Sequence, residues 1–261
     1  MMNETRRFGA NYLPVLFVSF LFIATITSFV IAVAQSDVTP WFPAISDTAT
    51  KSPESNIFSQ LVNISTFIGL FLIYVRYLQV KRDVEWLEGN QTTLVLNRYS
   101  LPVGFIAVLG CSIAANFPET QVPIVHIIGA ITLFAFGNVY LWAQVIVSFR
   151  MRKLGLISLR VFVTRLVMVL LTSTAFIIST VTVSYASTRW DGDYLHWKAK
   201  NPGFTGHIIG NVSEWLMVFS FLIVTLTFTN ELAKGRLQAS FVMDDANFYT
   251  PVSVKSKSIE D

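Results

Sequence analysis

Six long apolar runs separated by short polar stretches dominate the chain: Tyr12 to Ala34, Ile57 to Val80, Leu101 to Phe117, Val122 to Phe149, Val161 to Val183 and His207 to Thr229. Their aromatic and β-branched content would suit strands in water. Runs of about 17–28 residues without alternating polarity instead predict helices in lipid, where backbone groups must be satisfied within their own segment. Each run approaches or exceeds the roughly 20 apolar residues that cross a bilayer. The predicted fold is therefore an all-α membrane protein, a bundle of six transmembrane helices occupying residues 1–235. The polar, mixed-charge segment 236–261 is expected to be a disordered tail. Three helix starts are legible. Ser52-Pro53-Glu54 offers an N-cap, a first-turn proline and an acid; Asn201-Pro202 repeats the cap-and-proline pattern; and Pro123 opens the fourth span.

Composition sharpens this picture. Of the 261 residues, 53% are hydrophobic and only 13% charged, against about a quarter in a soluble domain. Mean hydropathy is +0.56. Disorder, a soluble enzyme and a nucleic-acid binder are excluded by that balance, and a net charge of +3 does not call for a polyanionic partner. The lone cysteine, Cys111, permits no intrachain disulfide or zinc cluster and reads as a small apolar packer within the third span.

Basic residues set the orientation. Arg6, Arg7, Lys81, Arg82, Arg98, Arg150, Arg152, Lys153, Arg160, Lys234, Arg236, Lys255 and Lys257 fall on one side, and only Lys51, Arg189, Lys198 and Lys200 on the other. Both termini are thus expected in the cytosol. Arg76 and Arg165, near cytosolic helix ends, are expected to snorkel, and Asp83–Glu88 around Trp86 reads as a solvated loop with an interfacial anchor. Ala32-Val33-Ala34 resembles a signal-peptidase site, but the apolar stretch before it exceeds the usual 7–15 residues, so retention of the first span is the favoured reading. The four Asn-x-Ser/Thr sequons, at Asn3, Asn63, Asn90 and Asn211, lie on the cytosolic side or within spans and are not expected to be used.

No phosphate-binding loop, nucleophile elbow, zinc-binding helix or cysteine pair is present. No cofactor and no metal are expected. Polar residues gather instead on the non-cytosolic side. In the first loop, Asp47 and its neighbouring hydroxyls can close a local turn, with Glu54 just beyond. His126 sits just inside the fourth span. In the sixth, His207, Asn211 and Glu214 share one helical face, and Glu214 lies about 10 Å deeper than His207 at 1.5 Å per residue. A carboxyl at that depth must be paired, protonated or facing water. Its expected partners are His126, His207 or a hydroxyl such as Thr180 or Thr182. Two functions compete for this set: a polar network that fixes helix packing, and a proton-sensitive or lipid-headgroup site. Gly129 and Gly137 on the fourth span can admit a close helix neighbour. In the tail, Tyr249-Thr250-Pro251-Val252 fits a tyrosine-based endosomal sorting signal.

Several of these residues also carry a resemblance. Phe42-Pro43-Ala44-Ile45-Ser46-Asp47-Thr48 with Ser52-Pro53-Glu54-Ser55, Tyr74-Val75-Arg76-Tyr77, and Ala115-Asn116-Phe117 with Val122-Pro123, His126 and Gly129-Ala130 resemble the damage-regulated autophagy modulator (DRAM) family. So do Leu195-His196-Trp197, His207 and Glu214-Trp215. The match runs in order over most of residues 10–236. Ala49 and Lys51 depart from it, standing where glycine and proline are common, and the tail after Gln238 has no counterpart. The resemblance implies a non-enzymatic, multi-pass lysosomal or endolysosomal protein that modulates autophagy, with a link to apoptosis. Its partners would be membrane lipids, including anionic lipid at the cytosolic loops, and a cytosolic protein, with no nucleic acid. Glu214 and the histidines, if they line a hydrophilic path, keep an ion, proton or lipid transporter open as an alternative. The wider superfamily, which includes relatives linked to phosphoinositide-kinase recruitment and to remodelling of glycosylphosphatidylinositol anchors, adds a plasma-membrane regulator of phosphoinositide-kinase recruitment and a lipid-remodelling enzyme.

Overall fold

The computed structural model describes residues 6–239. Its frame is six helices long and apolar enough to cross a membrane. They are α1 (Tyr12–Ala34), α2 (Glu54–Trp86), α3 (Gln91–Asn116), a composite fourth span, α6 (Leu159–Ser187) and α7 (Phe204–Leu226), which continues into α8 (Thr229–Leu232). The fourth span consists of α4 (Pro123–Ile131), a π-helical segment (Thr132–Phe136) and α5 (Gly137–Lys153). Neighbours in sequence pack side by side, and α7 closes the bundle against α1. At the end where the described segment begins and finishes, here the terminal face, strand β1 (Arg6–Gly9) pairs antiparallel with β2 (Arg236–Ala239), placing Phe8 opposite Leu237. The opposite end is the distal face.

The bundle is inside-out relative to a soluble protein. Large apolar side chains such as Phe67, Ile124 and Ile177 point outward, while Ser28, Ser65, Asn97, Gln144, Ser148, Thr172 and Ser220 are buried between helices. Lipid tails are as apolar as leucine, so hydrophobic burial does not drive helices together; close packing of small residues and interhelical hydrogen bonds do. Gly110 and Gly129 mark the closest approach of one helix backbone to another. A Cβ on Gly129 would lie 2.6 Å from the Ala114 nitrogen, and one on Gly110 would lie 2.6 Å from the Leu133 nitrogen. Gly137 instead faces the flexible ring of Phe221. Asn97 adds a polar tie by donating to the Tyr77 carbonyl at 2.9 Å.

Several local expectations change. The 81–98 stretch shrinks to a short turn, because α2 runs on to Trp86 and Asn90 caps α3 by accepting from the Thr92 N–H at 2.8 Å. Asp83–Trp86 is therefore helix rather than loop. Ser52 does not cap α2; its hydroxyl accepts from the Asn56 side chain, and Pro53 occupies the cap position. Asn201 likewise turns away, accepting from the Lys198 N–H, and α7 starts after Gly203 at φ 82°. That left-handed turn favours glycine. The segment expected to be disordered from residue 236 begins as β2, since pairing with β1 satisfies its backbone. Tyr249 and Val252 lie outside the described residues.

Arg76 and Arg165 do not snorkel. Both are buried and flank the Phe228 ring, with guanidinium carbons 4.6 and 4.5 Å from its centroid. Glu231 bridges them: Arg76 Nη1 donates to Oε2 at 2.6 Å, and Arg165 Nη2 donates to Oε1. Ser148 and Thr227 complete the Arg165 shell. A buried cation with a carboxylate and hydroxyl partners within reach is better satisfied there than by stretching toward water.

Candidate functional site

At the distal face the first loop folds inward. Asp47–Ala49 forms a 3-10 turn in which Asp47 accepts from the Ala44 N–H at 3.1 Å, and Thr48 donates to the Ile45 carbonyl at 2.8 Å. The Thr48 hydroxyl also meets that of Ser28 on α1 at 3.1 Å. Asp47 is thereby buried with the Glu119 carboxyl within hydrogen-bond reach and Glu214 close by. Burial first, and Glu119 next, raise its pKa well above the ordinary carboxylate value. Two carboxylates this close repel when both are ionised, so Asp47 holds its proton to a higher pH than an ordinary carboxyl.

His126 brings the α3–α4 turn into the same cluster. Its Nδ1 faces the carbonyls of Ala114 (3.0 Å) and Phe117 (2.9 Å) and must be the N–H donor. Its Nε2 lies 3.5 Å from Glu119. Glu214 reaches up from α7 toward the backbone amides of Ile45 and Ser46. It does not meet Thr180 or Thr182, whose hydroxyls bond back to their own helix at Phe176 and Ile178. Nor does it meet His207, which stacks flat on Trp197 with centroids 4.5 Å apart. A helical β-hydroxyl finds the preceding turn's carbonyl before it finds a distant partner.

Asn211 and Trp215 act as a latch. The Asn211 amide donates to the Phe42 carbonyl and to His207 Nε2, both at 3.0 Å, and Trp215 Nε1 donates to the Pro43 carbonyl at 2.9 Å. A second tie joins the first loop to the one before α7. His196 Nε2 faces the Ser36 carbonyl at 3.0 Å and Nδ1 faces Asp193 at 2.7 Å, while the Thr39 N–H donates to the Leu195 carbonyl at 2.9 Å. Ser36 and Phe42, two of the loop residues whose carbonyls are held, both have left-handed backbones, φ 61° and 49°. That conformation costs an L-residue about 1–2 kcal/mol, and the latched carbonyls hold it in place. The Ser36 carbonyl and then the Asp193 carboxylate raise the His196 pKa above its ordinary value. Although burial opposes it, the His196 and Leu195 hydrogen bonds lower that of Asp193.

The structure thus brings together Asp47, His126 and Glu214, and sets His207 and Asn211 beside them as loop fasteners. Glu54 stands apart. It is buried at the start of α2 with Lys51 and Asp37 as its charged neighbours. Two members were not among the sequence candidates: Glu119, the only acid in the α3–α4 turn, and His196, whose Asp193 partner three residues earlier was the available signal. Chemically the cluster can bind, share and release protons. No serine or cysteine hydroxyl or thiol in it meets a base, and among the described residues no group of three or more His, Cys, Asp or Glu is placed to hold a metal.

The family model described as the Frag1/DRAM/Sfk1/Cwh43P N-terminal domain matches residues 9–235. The chain is 32% identical over 249 residues to DNA damage-regulated autophagy modulator protein 2 of Rattus norvegicus, covering 94% of this chain and 91% of that one. It is 34% identical over 236 residues to DNA damage-regulated autophagy modulator protein 1 of Homo sapiens, covering 89% and 94%. A shorter match, 33% over 116 residues, covers 44% of the chain and 47% of Modulator of macroautophagy TMEM150B of Xenopus tropicalis. No solved structure matches the chain.

Proposed function

The chain belongs to the Frag1/DRAM/Sfk1/Cwh43P family, and from that premise we propose that it is a non-enzymatic, multi-pass modulator of autophagy in the endolysosomal membrane. The names of its relatives support the autophagy role. In this reading the terminal face is cytosolic, where Lys81, Arg82, Arg98, Arg150, Arg152, Lys153 and Arg160 meet anionic lipid or a protein partner. Each well-placed cation contributes about 1 kcal/mol. The distal face looks into the lumen.

One arrangement supports the luminal assignment: the first loop and the loop before α7 are tied through His196, whose two ring nitrogens face the Ser36 carbonyl and Asp193, and Asp47 is buried against the Glu119 carboxyl, so that both His196 and Asp47 favour their protonated forms. Below the ordinary histidine pKa of about 6.5, His196 donates from both nitrogens and the tie is complete. As pH rises through its elevated pKa, one donor is lost. Asp47 acts in the same direction. Its raised pKa means that the folded cluster holds a proton the unfolded chain would release, so stability falls as pH climbs from the ordinary carboxylate value through the raised one. Asp193, lowered, keeps its charge until pH falls through its depressed value. The loops are accordingly closed in an acidic lumen and loosened toward neutrality.

The test is complementation. Cells lacking the protein receive wild type, His196→Gln or Asp47→Asn, and autophagic flux is read together with overlap with a lysosomal marker. Restored flux and lysosomal residence for wild type, with altered flux for a correctly placed variant, are expected. Plasma-membrane residence with no effect on flux overturns the proposal.

A further inference from the structure

Between the two polar layers lies a partly open cavity of about 180 Å³ bounded by α1, α2, α3, the fourth span and α7. Its wall is almost wholly apolar, contributed by side chains such as Phe17, Phe58, Val108 and Phe221. An apolar cavity of about 150 Å³ stays dry and accepts hydrocarbon. It runs from Ile45, His126 and Glu214 at the distal end to Arg76 and Phe228 at the other. From Glu214 to Phe228 along α7 is about 21 Å at 1.5 Å per residue, so the space is long and narrow.

The two ends differ in charge. At the distal end the cavity meets Glu214, with Asp47 and Glu119 behind it. At the terminal end two buried cations, Arg76 and Arg165, share one carboxylate, Glu231. Asp83, the next acid on α2, sits about two turns beyond Arg76 and is held by Arg82 and Gln79. Every Arg165 nitrogen has a partner. Arg76 does not match it: Nε donates to Gln144 and Nη1 to Gln79 and Glu231, whereas Nη2 has no hydrogen-bond partner among the described residues, although the side chain is 1% exposed and lies on the cavity wall. Thr66 Oγ1, also on the wall, is likewise buried and unpartnered. A buried guanidinium in cationic excess with an unused N–H calls for an oxyanion. Arg76 lies about 33 Å along α2 from Glu54, close to one hydrocarbon thickness of about 30 Å, which is headgroup level at the terminal face.

We propose that this cavity binds one single-chain lipid with an anionic oxygen head, the head on Arg76 Nη2 and the chain running along α7 toward Ile45. The distal end offers the head carboxyls and no arginine or lysine, whereas Arg76 lines the terminal end, and this sets the orientation. A fatty-acid carboxylate and a lysophospholipid phosphate present the same chemistry to Arg76, and competition separates the two.

The protein, held in phosphatidylcholine nanodiscs, is photolysed with diazirine-bearing palmitate and the adducts are mapped by mass spectrometry. Adducts are expected on α2, α3 and α7 residues of the cavity. Oleate or lysophosphatidate should displace the probe at about tenfold lower concentration than oleylamine or oleyl alcohol, and whichever of the two anions does so at the lower concentration identifies the head. Cys111→Phe and Ala107→Leu fill the cavity from α3 without touching the ionic layer; both should keep the thermal midpoint and lose labelling. Arg76→Gln should abolish the preference for anions over oleyl alcohol. Adducts confined to lipid-facing positions such as Ile124 and Ile127, equal displacement by oleylamine, or undiminished labelling in both filled and folded variants each overturn the proposal.

Discussion

His196→Gln gives the sharpest test of the distal tie. In wild type the imidazolium makes two hydrogen bonds, to the Ser36 carbonyl at 3.0 Å and to Asp193 at 2.7 Å, with Lys51 and Asp37 as further charges nearby. The ring is 37% exposed, so the ion pair itself contributes at most about 1 kcal/mol. A net hydrogen bond contributes about 0.5–1.5 kcal/mol. Losing one donor on deprotonation therefore shifts loop opening by about 1 kcal/mol, or roughly fivefold. The Thr39 amide, which donates across the tie to the Leu195 carbonyl, is the reporter. Its hydrogen-exchange protection, corrected for the intrinsic pH dependence of exchange, should be about fivefold higher at pH 5 than at pH 9. His196→Gln should bring the protection at pH 5 down to the value at pH 9. Equal protection at both pH values in wild type, or an undiminished difference in the variant, would refute the assignment.

Three further outcomes follow from the same geometry. Glu231→Gln leaves Arg76 and Arg165 without a counter-charge and should destabilise the bundle by about 3–5 kcal/mol, read as a lower unfolding midpoint in detergent. Gly129→Val drives side-chain atoms against the α3 backbone at Ala114 and should cost about 1–3 kcal/mol; Gly137→Ala, which meets only the movable Phe221 ring, should lose much less in the same melt. Asp47→Asn mimics the protonated carboxyl, so the Thr48 amide, bonded to the Ala44 carbonyl, should keep its acid-level protection at neutral pH, where wild type loses part of it.

The six spans were legible because length, apolarity and the absence of alternation leave a helix as the only backbone solution in lipid. The distal candidates were legible in part. His207, Asn211 and Glu214 share a face by simple periodicity, and the loop motif around Asp47 announces a turn. Their partners were not legible, because Phe42 and Pro43 present carbonyls, which carry no sequence signal. Arg76 and Arg165 were misplaced for a related reason. Proximity to a helix end favours snorkelling when each span is considered alone, and only tertiary structure sets Glu231 beside both arginines. Glu231 itself falls just past the last apolar run, which ends at Thr229, although it lies on the short helix α8 that continues α7. The π segment at Thr132–Phe136 has no mark in the sequence. It lies where Gly110 brings the α3 backbone against Thr132 and Leu133.

Inverting the usual core places the specificity of this bundle in its polar contacts. Between lipid-covered helices, exchanging one apolar surface for another changes little energy, so register must come from groups with few acceptable partners. These occur in two layers. The distal one fastens loops through Asn211, Trp215 and the carboxyl cluster, and the terminal one fastens helices through Arg76, Arg165 and Glu231. The α7–α8 segment contributes to both, with Asn211, Glu214 and Trp215 at one end and Thr227, Phe228 and Glu231 at the other. The apolar cavity lies against the same helix between them. A single helix whose two ends are held by charge and hydrogen bonding, and whose middle is held only by packing, is the element on which proton uptake at one face and occupancy of the cavity would both act.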